Sequence, residues 1–341
     1  MTPNELREEQ YKIIAKAFAD AMADARSVGI ADLTRAIERQ DAEAVLQLLG
    51  LDRSLLAPVE EAIKGAYISG GQFTSDAIGV VKVEGVGNIV TRFDLTSPAA
   101  IQWLTTESSN QVVEIVAEQR ALVRAFLADG TAQGINPVQQ ALDIVGRIDP
   151  VTGRRTGGIL GLTEQQGEWV KNARDELSGL NANYFTRELR DKRFDKTVRA
   201  AIDNKKPLTQ KQIAAIISRL EDRTLKYRGN TIARTESLNA LRAGQHEAIQ
   251  QLVRSGKASA GDIIKEWDSS GHDGRTRADH LALEGVKVAF DQAFTFADGT
   301  RARYPGDTAL GASAKETIQC RCVLNYRIDF IAQAARKFKG L

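Results

Sequence analysis

The residue types best suited to chemistry gather near the end of the chain. Cys320 and Cys322, the only two cysteines, lie one residue apart, and two of the three histidines, His272 and His280, precede them. That spacing is too close for an ordinary structural disulfide and suits a protein made in a reducing compartment. Side chains two apart in a strand share a face, so both sulfurs are expected on one side with Arg321 on the other. His280 ends a helical turn, RADHLAL, and could meet the sulfurs to complete three ligands of a structural zinc, with His272, Asp273 or Asp279 as a fourth. The alternative is that both thiols pack as small apolar groups beside a hydrogen-bonded core histidine. Either way the expected role is structural.

His272, His280, Arg275, Arg277 and Glu236 are also the residue types of a metal-independent ribonuclease, with His as acid and base and Arg on the phosphate. No G-x-S-x-G elbow, H-E-x-x-H helix or Arg…Ser-x-Ser…Glu-x-Glu series accompanies them, so no enzyme is expected. The Gly-rich, basic stretch 147–161, RIDPVTGRRTGGILG, lacks the Lys-Ser/Thr ending of a P-loop and reads as a surface loop. From Arg187 to Arg228 there are 13 Lys or Arg against 6 Asp or Glu. Arg190, Lys192, Arg193 and Lys196 are the candidate contacts to double-stranded DNA phosphates, the alternatives being a solvated helix face or an acidic partner surface. Aromatics are sparse there, Phe194 and Tyr227 only, which disfavours stacking on single strands.

The elements that must position these residues are mostly helical. A net charge of +2, 43% hydrophobic and 26% charged residues, with 28 Gly and 7 Pro, describe an ordinary globular protein. No apolar run is long enough for a membrane span, and the N-terminus, MTPNELREEQYKIIAKAF, lacks the apolar core of a secretory signal. The expected fold class is mainly α over the N-terminal two-thirds, with a small C-terminal α/β module. Residues 1–95 read as a helical region of short helices, with a hairpin or extended arm in the Gly-punctuated stretch Gly70 to Phe93. A helical domain follows over 96–230, the module over 231–330 and a basic tail over 331–341.

Start signals stand at Asp41, at Ser97 with Pro98, and at Asn136 with Pro137. Thr163 with Gln166 and Thr209 with Gln212 form capping boxes. One or two long helices are expected from Lys211 to Val253, burying Ile213, Ile216, Ile217, Leu220, Leu225, Ile232, Leu238, Leu241 and Ile249, with a break near Gly229. After Gly256, strand-like runs (IIKEW, VKVAF, CRCVLNYRIDF) alternate with turns (SSGHDG, ADGT, YPGD).

In order, the last third contains ARTE (233–236), EWD (266–268), HDGRTRADH (272–280), Leu283, Gly285, Phe294, YPGD (304–307), Gly311 and CRC (320–322). This series resembles the head-morphogenesis domain typified by the phage Mu F protein. Members share an Arg-Thr-Glu helix, a Trp-bearing strand, an Asp…Arg…His element, a Pro-Gly-Asp turn and a terminal Cys-Arg-Cys. The matching residues are Arg234, Glu236, Trp267, Asp273, Arg277, His280, Pro305, Asp307, Cys320 and Cys322. Trp267 and Phe294 read as core, and Arg234 with Glu236 as a salt bridge fixing the long helix to the module. The resemblance implies a minor head (capsid) protein of a tailed phage or prophage, made in the host bacterial cytoplasm and residing in the virion head. Its implied partners are the portal protein, capsid or scaffold proteins and, in some members, the DNA that is packaged or ejected. The competing readings are a ribonuclease-like nucleic-acid processing enzyme and an internal DNA-binding head protein.

Overall fold

A computed structural model describes residues 1–83, 87–269, 274–330 and 332. The chain opens with helices α1 (Pro3–Ala25), α2 (Ile30–Glu38), α3 (Ala42–Leu48) and α4 (Ala57–Ile78), then the hairpin β1 (Val80–Val83) and β2 (Gly87–Val90). Helices α5 (Pro98–Gln102), α6 (Ser108–Ala132) and α7 (Pro137–Val145) follow, joined to α8 (Glu164–Ser178) through the two-residue strands β3 (Arg147–Ile148) and β4 (Arg155–Thr156). Next come α9 (Asp195–Asp203) and the 45-residue α10 (Gln210–Arg254). The remainder comprises β5 (Ile263–Asp268), α11 (Ala278–Leu281), β6 (Lys287–Ala289), β7 (Phe294–Thr295), β8 (Arg301–Ala302), α12 (Ala314–Thr317) and β9 (Val323–Ile328). Helix accounts for 62% and strand for 9%, the mainly α fold with a small strand-containing C-terminal module.

The capping chemistry acts where its residues stand. Asp41 accepts from Ala44 N at 2.9 Å, Ser97 from Ala100 N at 3.2 Å and Asn136 from Val138 N at 2.9 Å. Thr163 and Gln166 exchange reciprocal bonds at 3.1 Å, and Thr209 and Gln212 do the same at the start of α10. No break occurs at Gly229. Helix α10 runs through it, and the missing side chain admits the Phe18 ring, 3.0 Å from where a Cβ would stand.

Two discontinuous units form instead of the consecutive segments 1–95, 96–230 and 231–330. Residues Met1–Ile14, Glu60–Ser109 and Thr231–Leu341 make one, and Ala15–Val59 with Asn110–Asn230 the other; only the boundary before Thr231 coincides with an expected one. The reason is helix length. Helices α1, α4, α6 and α10 each continue past a boundary, so each unit is assembled from several stretches of chain.

In the second unit, Leu33, Val45, Leu46, Leu122, Val123, Ile144, Leu160, Val170, Leu177 and the α10 residues Ile213, Ile216, Ile217 and Leu220 form one core. The stretch 147–161, expected on the surface, divides. Residues 151–154 are exposed, but Gly157 to Leu162 are buried within that core. Arg26 donates to Leu160 O (2.6 Å), Arg228 to Gly161 O (3.0 Å), and Glu221 and Asp222 accept from Gly158 N and Gly157 N at 2.7 Å. A buried loop needs such partners for its backbone, and its glycines, with φ of 74° and 88° at Gly157 and Gly158, supply a conformation that side chains disfavour.

In the first unit, Gly70 and Gly71 lie inside α4, not in an arm, and the hairpin begins only after Gly79. A Cβ on Gly70 would stand 2.2 Å from Leu241 O, and one on Gly244 would stand 2.0 Å from Tyr67 O. These glycines let α4 and α10 approach backbone to backbone. Tyr67 stacks on Trp103 beside this crossing, ring centroids 4.1 Å apart.

The C-terminal module belongs to this unit and centres on the antiparallel sheet β6-β5-β9. Strand β5 turns Ile263, Lys265 and Trp267 inward, and Ile249, Leu252, Ala258, Ile263 and Phe290 form a small core with α10. Of the expected tail, residues 331 and 333–341 lie outside the described residues. Among the described residues no helix is long and apolar enough to cross a membrane.

Candidate functional site

Trp267 is fully buried and organises the module's aromatic centre. Its ring meets His280, Phe294 and Phe296 edge-on, at centroid distances of 5.7, 5.1 and 5.7 Å. Edge-to-face packing of this kind adds about 1 kcal/mol per pair beyond burial, which supports reading Trp267 and Phe294 as core.

The Tyr304–Asp307 turn is seated against α10. Gly306 has φ of 86°, and a Cβ there would stand 2.0 Å from Asn239 Oδ1; Arg242 donates to Pro305 O at 3.4 Å and to Cys320 O at 2.9 Å. Asp307, buried, accepts from Arg303 Nε (2.7 Å) and Nη2 (2.8 Å) and from Ala309 N (3.1 Å). Burial pushes its pKa up, but the Arg303 guanidinium outweighs that and holds the carboxyl below its ordinary value.

The Cys-Arg-Cys segment is not in a strand. Strand β9 begins at Val323, and residues 320–322 are irregular, following Gln319 at φ of 54°. The sulfurs nevertheless converge on His280, whose Nδ1 lies 3.3 Å from Cys322 Sγ and 3.6 Å from Cys320 Sγ. On the opposite ring nitrogen, His280 Nε2 meets the buried carboxylate of Glu316 at 2.8 Å. Cys320 is held well below the usual thiol range by its hydrogen bond with Cys322 and by the nearby Arg242 guanidinium, while Cys322 is pushed up by the same sulfur pair and by burial. Burial lowers the His280 pKa, but the Cys320 sulfur and Glu316 more than offset it and leave it raised.

A cleft of about 190 Å³ opens beside this triangle, lined among others by Arg234, Arg275, Arg277 and Arg321 as well as His280 and the two cysteines. Arg277 also donates to Ile318 O. Arg234 is exposed, its guanidinium 5.7 Å from the Tyr11 ring centre, and Glu236 is half-buried on α10. Asp279 faces Lys315 Nζ at 2.9 Å. His272 and Asp273 lie outside the described residues.

The basic candidates belong to the other unit. Arg190 pairs with Asp195 through two bonds of 3.1 Å, and Arg193 with Asp191, the closest contact being 2.6 Å. Arg193 is still 75% exposed, and Lys192 and Lys196 are exposed.

Arg242, His246, Lys265 and Glu316 were not anticipated. Lys265 is fully buried and donates to Arg303 O at 2.8 Å; burial and Arg303 lower its pKa to about 8. His246 stacks on Phe290 at 4.7 Å and meets Tyr326 OH at 3.2 Å, and burial lowers its pKa to about 3. A signal existed for two of them: Arg242 and His246 follow Leu238 at helical spacing, placing polar side chains on a core-facing stripe.

No curated protein and no solved structure matches the chain. Residues 179–325, which include every described residue of the motif series from Arg234 to Cys322, match the family described as Phage Mu protein F like protein, and over that stretch the chain is similar to this family.

Proposed function

We propose that the protein is a minor head protein of a tailed phage or prophage, a few-copy component built in at the portal vertex during head morphogenesis. The observation that carries this reading is the family match over 179–325. The geometry supports a non-enzymatic role. Trp267, Pro305, Asp307, Cys320 and Cys322 are buried and engaged in the module's own packing and hydrogen bonds, which makes the motif a folding signature.

A ribonuclease needs an acid–base group that reaches its substrate. His280, the described histidine of that set, has a side chain 2% exposed, held between Glu316 and the two sulfurs. The DNA reading of Arg190, Lys192, Arg193 and Lys196 is weakened by carboxylates that already neutralise both arginines. A solvated or portal-facing helix surface suits that segment better. Co-expression with the portal protein of the same phage tests the proposal. Co-elution of the two in size-exclusion chromatography is the expected result; separate elution over a range of salt would contradict it.

A further inference from the structure

We propose that the module binds one Zn²⁺ through His280 Nδ1, Cys320 Sγ and Cys322 Sγ, with the fourth coordination position opening onto the arginine-lined cleft. The proposal concerns the module's chemistry and stands independently of the portal-vertex role.

The first ground is distance. Zinc bonds of about 2.0 to 2.1 Å to nitrogen and 2.3 Å to sulfur, at the tetrahedral angle, place N and S about 3.6 Å apart. Here the two N···S distances are 3.3 and 3.6 Å, and all three ligand atoms lie within 4.8 Å of one another. The second ground is the far side of the imidazole. Histidines that bind metal through one nitrogen commonly donate from the other to a carboxylate, which fixes the ring and its tautomer. Glu316 occupies that position at 2.8 Å, its side chain 1% exposed, and a carboxylate so buried needs such a partner. Two soft thiolates with one imidazole select zinc over harder cations such as magnesium or calcium.

The fourth position follows from what lies around the triangle. Among the described residues no further His, Cys, Asp or Glu joins the set, and Asp279 is turned to Lys315. The cleft reaches all three ligands and carries Arg234, Arg275, Arg277 and Arg321 on its walls. A water or anionic oxygen suits that surrounding.

The test uses the full chain purified without chelator. Elemental analysis should find about one zinc per chain; less than about a tenth of an equivalent, unchanged after incubation with Zn²⁺, would overturn the site. Cys322→Ser should lose zinc, but it also alters a buried side chain, so Glu316→Gln is the second variant. It keeps all three ligands and should weaken zinc binding about 10- to 100-fold with circular dichroism unchanged. Wild-type affinity in that variant would overturn the role of Glu316 in positioning the imidazole for zinc. Cobalt-substituted protein should show thiolate charge-transfer bands and ligand-field bands that shift on adding inorganic phosphate. Bands indifferent to phosphate would overturn the open fourth position.

Discussion

Alanine placed at Gly244 should destabilise the first unit, while alanine at Gly65 should not. Both glycines are helical, so each substitution gains roughly 1 kcal/mol of helix propensity. At Gly65 in α4 no atom lies within 4 Å of the new Cβ, and that gain stands alone. At Gly244 the Cβ would stand 2.0 Å from Tyr67 O and 2.8 Å from Gly71 N, both backbone atoms that no rotamer change can move. Restoring van der Waals contact requires α4 and α10 to separate locally by more than about 1 Å, which forfeits up to about half of each affected contact. Overpacking of this kind costs about 1 to 3 kcal/mol and sometimes more. The contact here is at the severe end, so the net loss at Gly244 is about 2 kcal/mol and the two variants differ by about 3 kcal/mol. At ~2 to 4 °C per kcal/mol for a chain of this size, Gly244→Ala should melt about 4 to 8 °C below wild type and Gly65→Ala at or slightly above it. Differential scanning calorimetry reads this directly. Equal melting temperatures would refute the backbone-to-backbone crossing.

The buried Glu221 makes stability depend on pH. Its pKa rises from 4.5 to about 7, chiefly through burial, so the folded state holds a proton that the unfolded state has released. Stability is therefore unpenalised below about pH 4.5 and falls as pH rises to about 7, by an amount of about 3 kcal/mol at most. Glu221→Gln should abolish that fall in urea titrations at pH 5 and pH 8 while retaining the bond from Gly158 N; a variant with the wild-type pH profile would show that Glu221 is ionised throughout. Changing Arg190, Lys192, Arg193 and Lys196 together to Gln should leave the salt slope for random duplex DNA unchanged, because Asp195 and Asp191 already pair with the two arginines and the exposed Lys192 and Lys196 belong to a solvated surface. A salt slope reduced by about four in filter-binding measurements would mean that all four meet phosphates.

Helix starts were legible because capping is local chemistry: Asp41, Ser97, Asn136, Thr163 and Thr209 each act within three residues of themselves. Glycine was the residue most easily misread. Gly70 and Gly71 look like punctuation in one dimension, yet Gly70 admits the backbone of Leu241, about 170 residues away, and Gly71 the ring of Phe93, which periodicity cannot reveal. Likewise the 147–161 stretch has a surface composition in its first half, while Gly157 to Leu162 are buried only because Arg26, Glu221 and Arg228 arrive from elsewhere in the sequence. At the candidate site, the meeting of His280 with the two sulfurs was anticipated, but through strand alternation; it arises from an irregular segment turned at Gln319. Glu316, which completes the arrangement, sits in the short helix α12 with nothing in its local sequence to single it out.

Quantitative mass spectrometry of purified virions against empty procapsids tests the central claim most directly. A minor head protein at the portal vertex should be present in both particle preparations, or enriched in one assembly stage, at a small multiple of the portal subunit and far below the major capsid protein. Absence of the chain from both particles, with abundant free protein in the infected cell, would contradict the account.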